Sequence, residues 1–230
     1  MSSSYAHCGL VSERRWKWKT HAVAKGAKHM GISQIREVLR SRWVAFVGDS
    51  IARKLLVGLM ESLEIAQSQM QFDRHSDFEY KEGSVHLTFH WTPFPGNVTQ
   101  LLHEWNSGKG DQLPEVVVVS VGLWHILYIH DEKDFTQQVS NIEKEFAAIS
   151  KKKKSGIQGV WATIPEIHHD SLKTLQKRRE MLPNRTDAYN KIIVEDSNVL
   201  QTKGGLFEVL DIFDITYGAL FVLLSLSQCM

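Results

Sequence analysis

The sequence predicts an α/β fold in which a mostly parallel sheet is covered by helices on both faces. Three observations lead there. Short apolar runs rich in strand formers alternate with amphipathic helical stripes along most of the chain. The runs at Trp43 to Val47 and Val116 to Val121 are apolar throughout, as strands buried on both faces are. At 230 residues, 43% hydrophobic and 23% charged, the chain is long and apolar enough to bury such a core.

The elements follow in order. Ile35, Val38 and Leu39 share one side of a short helix from Ile32 to Arg40. Trp43 to Val47 is the first strand, stopped by Gly48. From Ile51 the period becomes helical, with Leu55, Leu56, Leu59 and Leu63 on one stripe. Val85 to Trp91 is the next strand, with Pro93 and Pro95 behind it, and Val98 to Trp105 a short helix. Val116 to Val121 is a buried strand. Phe135, Val139, Ile142, Phe146 and Ile149 mark a long helix whose end, Lys151 to Lys154, reads as a solvated terminus complementing the helix dipole. Gly159 to Ile164 is a strand ended by Pro165, Arg185 to Glu195 a helix, and Phe207 to Ile212 the last strand. Residues 1–31 form a basic, aromatic N-terminal segment, 32–217 the α/β domain and 218–230 an apolar tail.

Composition removes several function classes. Lys+Arg 27 against Asp+Glu 26 leaves a net charge of +1, so no global field points to nucleic acid. The Arg14-Arg15-Trp16-Lys17-Trp18-Lys19 run could suit a nucleic acid or a membrane surface, but reads better as tryptophans packed on the domain with wet cations. Two cysteines, Cys8 and Cys229, give neither a disulfide framework nor a paired-cysteine zinc site. No cofactor or metal is expected, since His86 and His90 alternate along a strand without a carboxylate at ligand spacing. No segment reaches the roughly 18–20 apolar residues of a membrane span. MSSSYAHCG is too polar for a signal-peptide core. The sequons at Asn97 and Asn184 lean weakly towards a secretory lumen, and the compartment is otherwise unreadable.

The chemistry centres on Phe46-Val47-Gly48-Asp49-Ser50-Ile51-Ala52-Arg53, where a buried strand ends in a Gly-Asp-Ser turn and a helix begins. That places the Ser50 hydroxyl at the sheet's carboxyl edge, beside free N–H groups able to stabilise an oxyanion. Ala52 rules out the Gly-x-Ser-x-Gly elbow, and no Gly-Lys-Ser/Thr makes a phosphate loop. On the tripeptide alone, a helix N-cap explains the turn equally well.

The surroundings resolve that choice by resemblance. Phe-Val-Gly-Asp-Ser with Arg53 resembles the first block of the GDSL/SGNH esterases, and within them the PC-esterase branch. That branch holds the trichome-birefringence-like proteins and the Cas1-type sialic acid O-acetyltransferases. Phe89-His90-Trp91-Thr92-Pro93-Phe94 is similar to its aromatic-Trp-x-Pro-aromatic segment. Val116 to Trp124 resembles its third block, Leu182 to Asn190 the region before its last strand, and Leu210-Asp211-Ile212 that strand.

The resemblance implies a three-layer sandwich of SGNH-hydrolase type. It also implies an acyl-esterase or O-acetyltransferase working through acyl-Ser50 on an acetylated carbohydrate or small acyl ester, with the acyl donor unspecified. It makes Ser50 the nucleophile and puts Gly122 at the oxyanion site. Gly96 is the nearest second-block glycine, though a turn after Pro95 explains it as well. Arg53 is a site support or a surface ion pair, and Asp49 a structural turn residue. The family's members act mostly in the Golgi lumen.

One departure stands out. The family's general base lies in a late Asp-x-x-His block, and a serine hydroxyl is a weak nucleophile without one. Here no histidine follows His169, and Asp211-x-x-Asp214 has the spacing but the wrong last residue. The tail is expected to be a replaced or truncated C-terminus, as from alternative splicing or a misread gene. His168 and His169, after a strand, and His125, read as a loop histidine after the third block, are the substitute bases considered. The rival expectation is a catalytically incompetent form that keeps carbohydrate or partner binding.

Overall fold

The computed structural model describes residues 30–73, 75–108, 113–152, 156–202 and 207–212. The Arg14 to Lys19 run, Asp214 and the tail lie outside these residues. In chain order the elements are α1 (Ile32–Leu39), β1 (Arg42–Gly48), α2 (Ser50–Ser62), β2 (Phe78–Glu82), β3 (Val85–Trp91), α3 (Pro95–Ser107) and β4 (Val116–Ser120). They continue with α4 (Leu123–Tyr128), α5 (Glu132–Lys152), β5 (Gln158–Ala162), α6 (Leu175–Glu180), α7 (Pro183–Thr202) and β6 (Phe207–Leu210).

The sheet runs β2-β3-β1-β4-β5-β6, parallel except for the β2–β3 pair. Alternation along the strands separates two cores. Ala45, Val47, Val117, Val119, Trp161 and Phe207 share one core with Val98 and Leu102 of α3, the apolar stripe of α5, and Tyr189 and Ile193 of α7. Val44, Phe46, Leu87 and Phe89 pack with Leu39 of α1 and Ala52, Leu56 and Met60 of α2 in the other. This is the expected three-layer α/β sandwich, helices on both faces of a mostly parallel sheet.

The topology also locates the site. From β1 the chain goes one way to β3, then crosses back over to β4, so β1 and β4 flank the point where strand order reverses. In open parallel sheets the crevice beyond that reversal is where ligands bind. Gly48 stands level with Trp91 on one side and Ser120 on the other. The Ser50 turn therefore sits at the mouth of the crevice.

The structure corrects several element expectations. The antiparallel β2 was not expected, because Phe-Glu-Tyr-Lys-Glu buries no residue fully and carries no apolar run. The short helices α4 and α6 were also missed, each only 6 residues long. Gly96 is not in a turn: Pro95 opens α3 and Gly96 lies in its first turn. β6 stops at Leu210, so Asp211 lies just beyond the strand, where its Oδ1 accepts a hydrogen bond from Thr163 Oγ1 at 3.2 Å. Among the described residues, no helix is long and apolar enough to cross a membrane.

The α5 side of the sheet has the larger aromatic load. Phe146 is fully buried, with its ring 4.2 Å from that of Phe207, which in turn meets Trp161 at 5.4 Å. Phe146→Ala should cost about 3–5 kcal/mol by leaving a cavity that this packed layer cannot close. Thermal unfolding should show a Tm drop on the order of 10 °C; a drop within ~2 °C would mean that α5 is not seated on the sheet this way.

Candidate active site

Gly48 sets the geometry. Its φ is 149°, and a Cβ there would lie 1.9 Å from the backbone oxygen of Ser120. Only glycine fits so close an approach. On either side, Asp49 N donates to Ser120 O at 3.2 Å and Thr92 N to Gly48 O at 2.9 Å. These contacts pin the last peptide of β1 before the chain turns into α2.

Asp49 caps α2. Its Oδ1 accepts from Ile51 N at 2.8 Å, and its carbonyl accepts from Arg53 N at 3.2 Å. The side chain is almost wholly buried, at 1% exposure, and Oδ2 has no partner. Burial pushes the carboxyl up to about 7, against the opposing pull of the Ile51 and Leu123 backbone N–H groups. The structural role expected for Asp49 is thus seen, together with a perturbed carboxyl that sequence alone does not reveal.

Ser50 opens α2, half-buried, and its hydroxyl makes no hydrogen bond to any described residue. Gly122 caps α4 with φ 137°, and a Cβ there would meet Ile164 Cδ1 at 2.4 Å. The Leu123 N–H lies close enough to draw the Asp49 pKa down, so the α4 N-terminus abuts the Ser50 turn. Ser50, Asp49 and Gly122 therefore converge at the mouth between β1 and β4.

Two side-chain assemblies hold α4 in place. Asn190 of α7 clamps the segment after β5, accepting from Ile164 N at 2.7 Å and donating to Ile164 O at 2.9 Å. That fixes Ile164 against Gly122. His125 is not a loop histidine but a buried residue of α4, 1% exposed. Its Nδ1 faces Tyr189 Oη at 2.7 Å and its Nε2 faces Asp134 Oδ2 at 2.8 Å. The carboxylate calls for a proton on Nε2, so Nδ1 accepts from the phenol. Burial raises the Tyr189 hydroxyl well above the usual range, which keeps it a donor. With both nitrogens engaged, His125 has none left for Ser50.

His168 lies after β5 with its Nε2 buried and unpartnered, and His169 Nε2 meets the Arg178 carbonyl. Neither hydrogen-bonds to Ser50. Arg53 is half-buried one turn along α2 and makes no ion pair among the described residues, so the surface salt bridge is not seen. His86 and His90 have carboxylate partners. Glu79 Oε1 lies 2.7 Å from His86 and Asp77 Oδ2 3.3 Å from His90, both supplied by the unexpected β2 and its approach. No cluster of three or more metal-ligating residues occurs among the described residues. A shallow cavity of about 370 Å³, lined by Trp43, His86 and Glu115 among others, opens at the opposite, amino edge of the sheet and takes no part in this site.

No family model matches the chain. It is 25% identical over 226 aligned residues to Protein ALTERED XYLOGLUCAN 9 of Arabidopsis thaliana, covering 89% of this chain and 61% of that protein. It is 22% identical over 167 residues to the N-acetylneuraminate (7)9-O-acetyltransferase of Danio rerio, covering 72% of this chain and 21% of that protein. The chain thus spans about three fifths of the first relative and a fifth of the second. Part of a Bacteroides fragilis protein containing a phosphatase domain superposes with a TM-score of 0.40 at 10% identity, over 82% of this chain and 47% of that one. That likeness is too slight to bear on function. The first relative's name refers to xyloglucan and the second's to O-acetyl transfer to N-acetylneuraminate.

The Asp49 carboxyl makes a pH prediction. An acid whose pKa rises from 3.8 to about 7 on folding binds more protons folded than unfolded between those values. Its contribution to stability therefore falls as pH rises through that window, by at most about 1.4 kcal/mol per pH unit. Asp49→Asn removes the titration, so wild type should lose stability relative to the variant between about pH 5 and about pH 7. Urea unfolding of both proteins reads this, and a constant difference would mean that Asp49 is ionised in the fold across that range.

Proposed function

We propose that this chain is a member of the PC-esterase branch of the SGNH superfamily and transfers acyl groups on acetylated carbohydrate through Ser50. The observation that carries the reading is the placement of Ser50. A serine hydroxyl with no hydrogen-bond partner among the described residues opens a helix at the β1/β4 switch point, with Gly122 opposite. The order of blocks along the chain and the names of the two relatives support the same reading.

In this mechanism Ser50 Oγ attacks the acyl carbonyl and gives its proton to a base. The carbonyl oxygen, now negative, accepts hydrogen bonds from Ser50 N–H and Gly122 N–H. The alcohol leaves with a proton, producing acyl-Ser50. Water or a sugar hydroxyl then attacks the acyl carbon and releases the serine. Burial raises the Asp49 carboxyl to about 7, so below that pH it is mostly protonated and puts no negative charge beside the developing oxyanion.

A second reading is favoured by one observation: no described histidine hydrogen-bonds to the Ser50 hydroxyl. With His125 committed to Tyr189 and Asp134, His168 is the residue with an unengaged ring nitrogen after β5. In this reading the chain binds carbohydrate or a partner and turns over little. Without base assistance, the oxyanion hole and positioning would leave roughly 10³–10⁴-fold acceleration over water, several orders below a full triad.

Two measurements test the pair. A fluorophosphonate probe should label wild type and not Ser50→Ala; labelling retained in the variant would remove Ser50 from the role. Turnover of p-nitrophenyl acetate should be weak in this chain and rise by several orders of magnitude when an Asp-Gly-x-His tail is supplied. Strong turnover by the unmodified chain, lost in the His168→Ala/His169→Ala double variant, would identify a substitute base and overturn the incompetence reading.

A further inference from the structure

Beside the Ser50 turn, the carboxyl edge of the sheet carries a run of aromatic rings. Trp91 ends β3 level with Gly48, Phe94 caps α3, and Trp124 and Tyr128 stand one turn apart on α4. The rings form one chain of contacts. Trp91 meets Trp124 at 5.6 Å and 84°, Trp124 meets Phe94 at 5.9 Å and Tyr128 at 5.4 Å, and Phe94 meets Tyr128 at 6.4 Å. His75 stacks on Trp91 at 4.4 Å.

This strip contributes little to the fold. Phe94, Trp124 and Tyr128 belong to neither core, and Trp91 only borders the α2-side one. Tyr128 is 50% exposed and its neighbour Ile129 45%. Trp91, Phe94 and Trp124 are half-buried and lead to Tyr128 at the exposed end; apolar surface left in water at a crevice mouth costs free energy and suits a ligand. Two edge-to-face and two tilted contacts orient the planes against one another.

Its position says what the ligand is. Thr92 N–H bonds Gly48 O on one side of the turn, and the Leu123 N–H lies close to the Asp49 carboxyl on the other. Each is the immediate neighbour of a strip tryptophan, so the rings flank the point where the ester would lie. The four rings carry no formal charge, so the strip itself offers an anionic ligand no counter-charge. The negative face of an aromatic ring instead suits the polarised C–H bonds on one face of a sugar. We propose that Trp91, Phe94, Trp124 and Tyr128 form a stacking platform for a pyranose ring of a neutral glycan, seating the sugar that carries the acyl group beside Ser50. The platform rests on the carbohydrate reading above and deepens it.

The test is binding, kept apart from catalysis by working in the full chain with Ser50→Ala. Tryptophan fluorescence, with saturation-transfer NMR as a second readout, is titrated with cellotetraose and separately with N-acetylneuraminic acid. Cellotetraose should bind, adding Tyr128→Ala should weaken it about five-fold or more, and Tyr128→Phe should restore it. Tyr128 is half-exposed, so its variants should melt within ~2 °C of the parent, and Trp124→Ala gives a second, stronger loss. No cellotetraose binding by the folded parent, binding indifferent to Tyr128→Ala and Trp124→Ala, or binding of the anionic sugar alone would each overturn the platform. Fluorophosphonate labelling of wild type separates the failures: labelling without sugar binding removes the platform and leaves the Ser50 mechanism standing.

Discussion

At Gly48 the backbone of β1 runs against the carbonyl of Ser120 with no room for a side chain, and the rest of the site is built outward from that contact. Because the two strands close up there, Asp49 N–H reaches Ser120 O and the chain must turn at once. The turn buries Asp49 under α4, and Asp49 in turn caps α2 so that Ser50 becomes its first residue. A residue with a Cβ at 48 would force β1 and β4 apart. Ser50 would then lose its place between the N-termini of two helices, whatever its own side chain did.

The opposite wall is held less directly. α4 has only 6 residues, too few to be stable from propensity alone, so its place depends on tertiary partners. His125 ties it to α5 and α7 through Asp134 and Tyr189, and the Asn190 clamp sets Ile164 against Gly122. Those contacts fix where the Gly122 N–H points. A hydrogen bond to a developing oxyanion needs a donor already in position, because reorganisation during the reaction cancels its benefit. In the proposed mechanism, the buried polar network under α4 is what holds that donor in place.

Much of this was legible in the sequence. Strands with uniform apolar composition, β1 and β4, were plain because burial on both faces leaves no alternation to misread. The long stripe of α5 declared itself through spacing, and the Gly-Asp-Ser turn through the abrupt change of period. β2 was hidden because an edge strand half in water has no apolar signature, and α4 and α6 because two turns are too short to show one. His125 was misjudged for a related reason. Local sequence shows a histidine after a glycine and an aromatic, while its burial comes from α5 and α7, far along the chain. The aromatic strip was half visible, since Trp124 and Tyr128 are spaced four apart, but only the register of β3 on β1 brings Trp91 and Phe94 to them.

The central claim is that Ser50 takes the acyl group. The most direct measurement mixes the chain with an activated acetyl ester, quenches in acid within the first turnover, and maps peptides by mass spectrometry. Acetyl should appear on the peptide carrying Ser50, accumulate before alcohol release reaches its steady rate, and vanish in Ser50→Ala. Ester turnover with no acetyl on that peptide, or with the acetyl on another residue, would contradict the account.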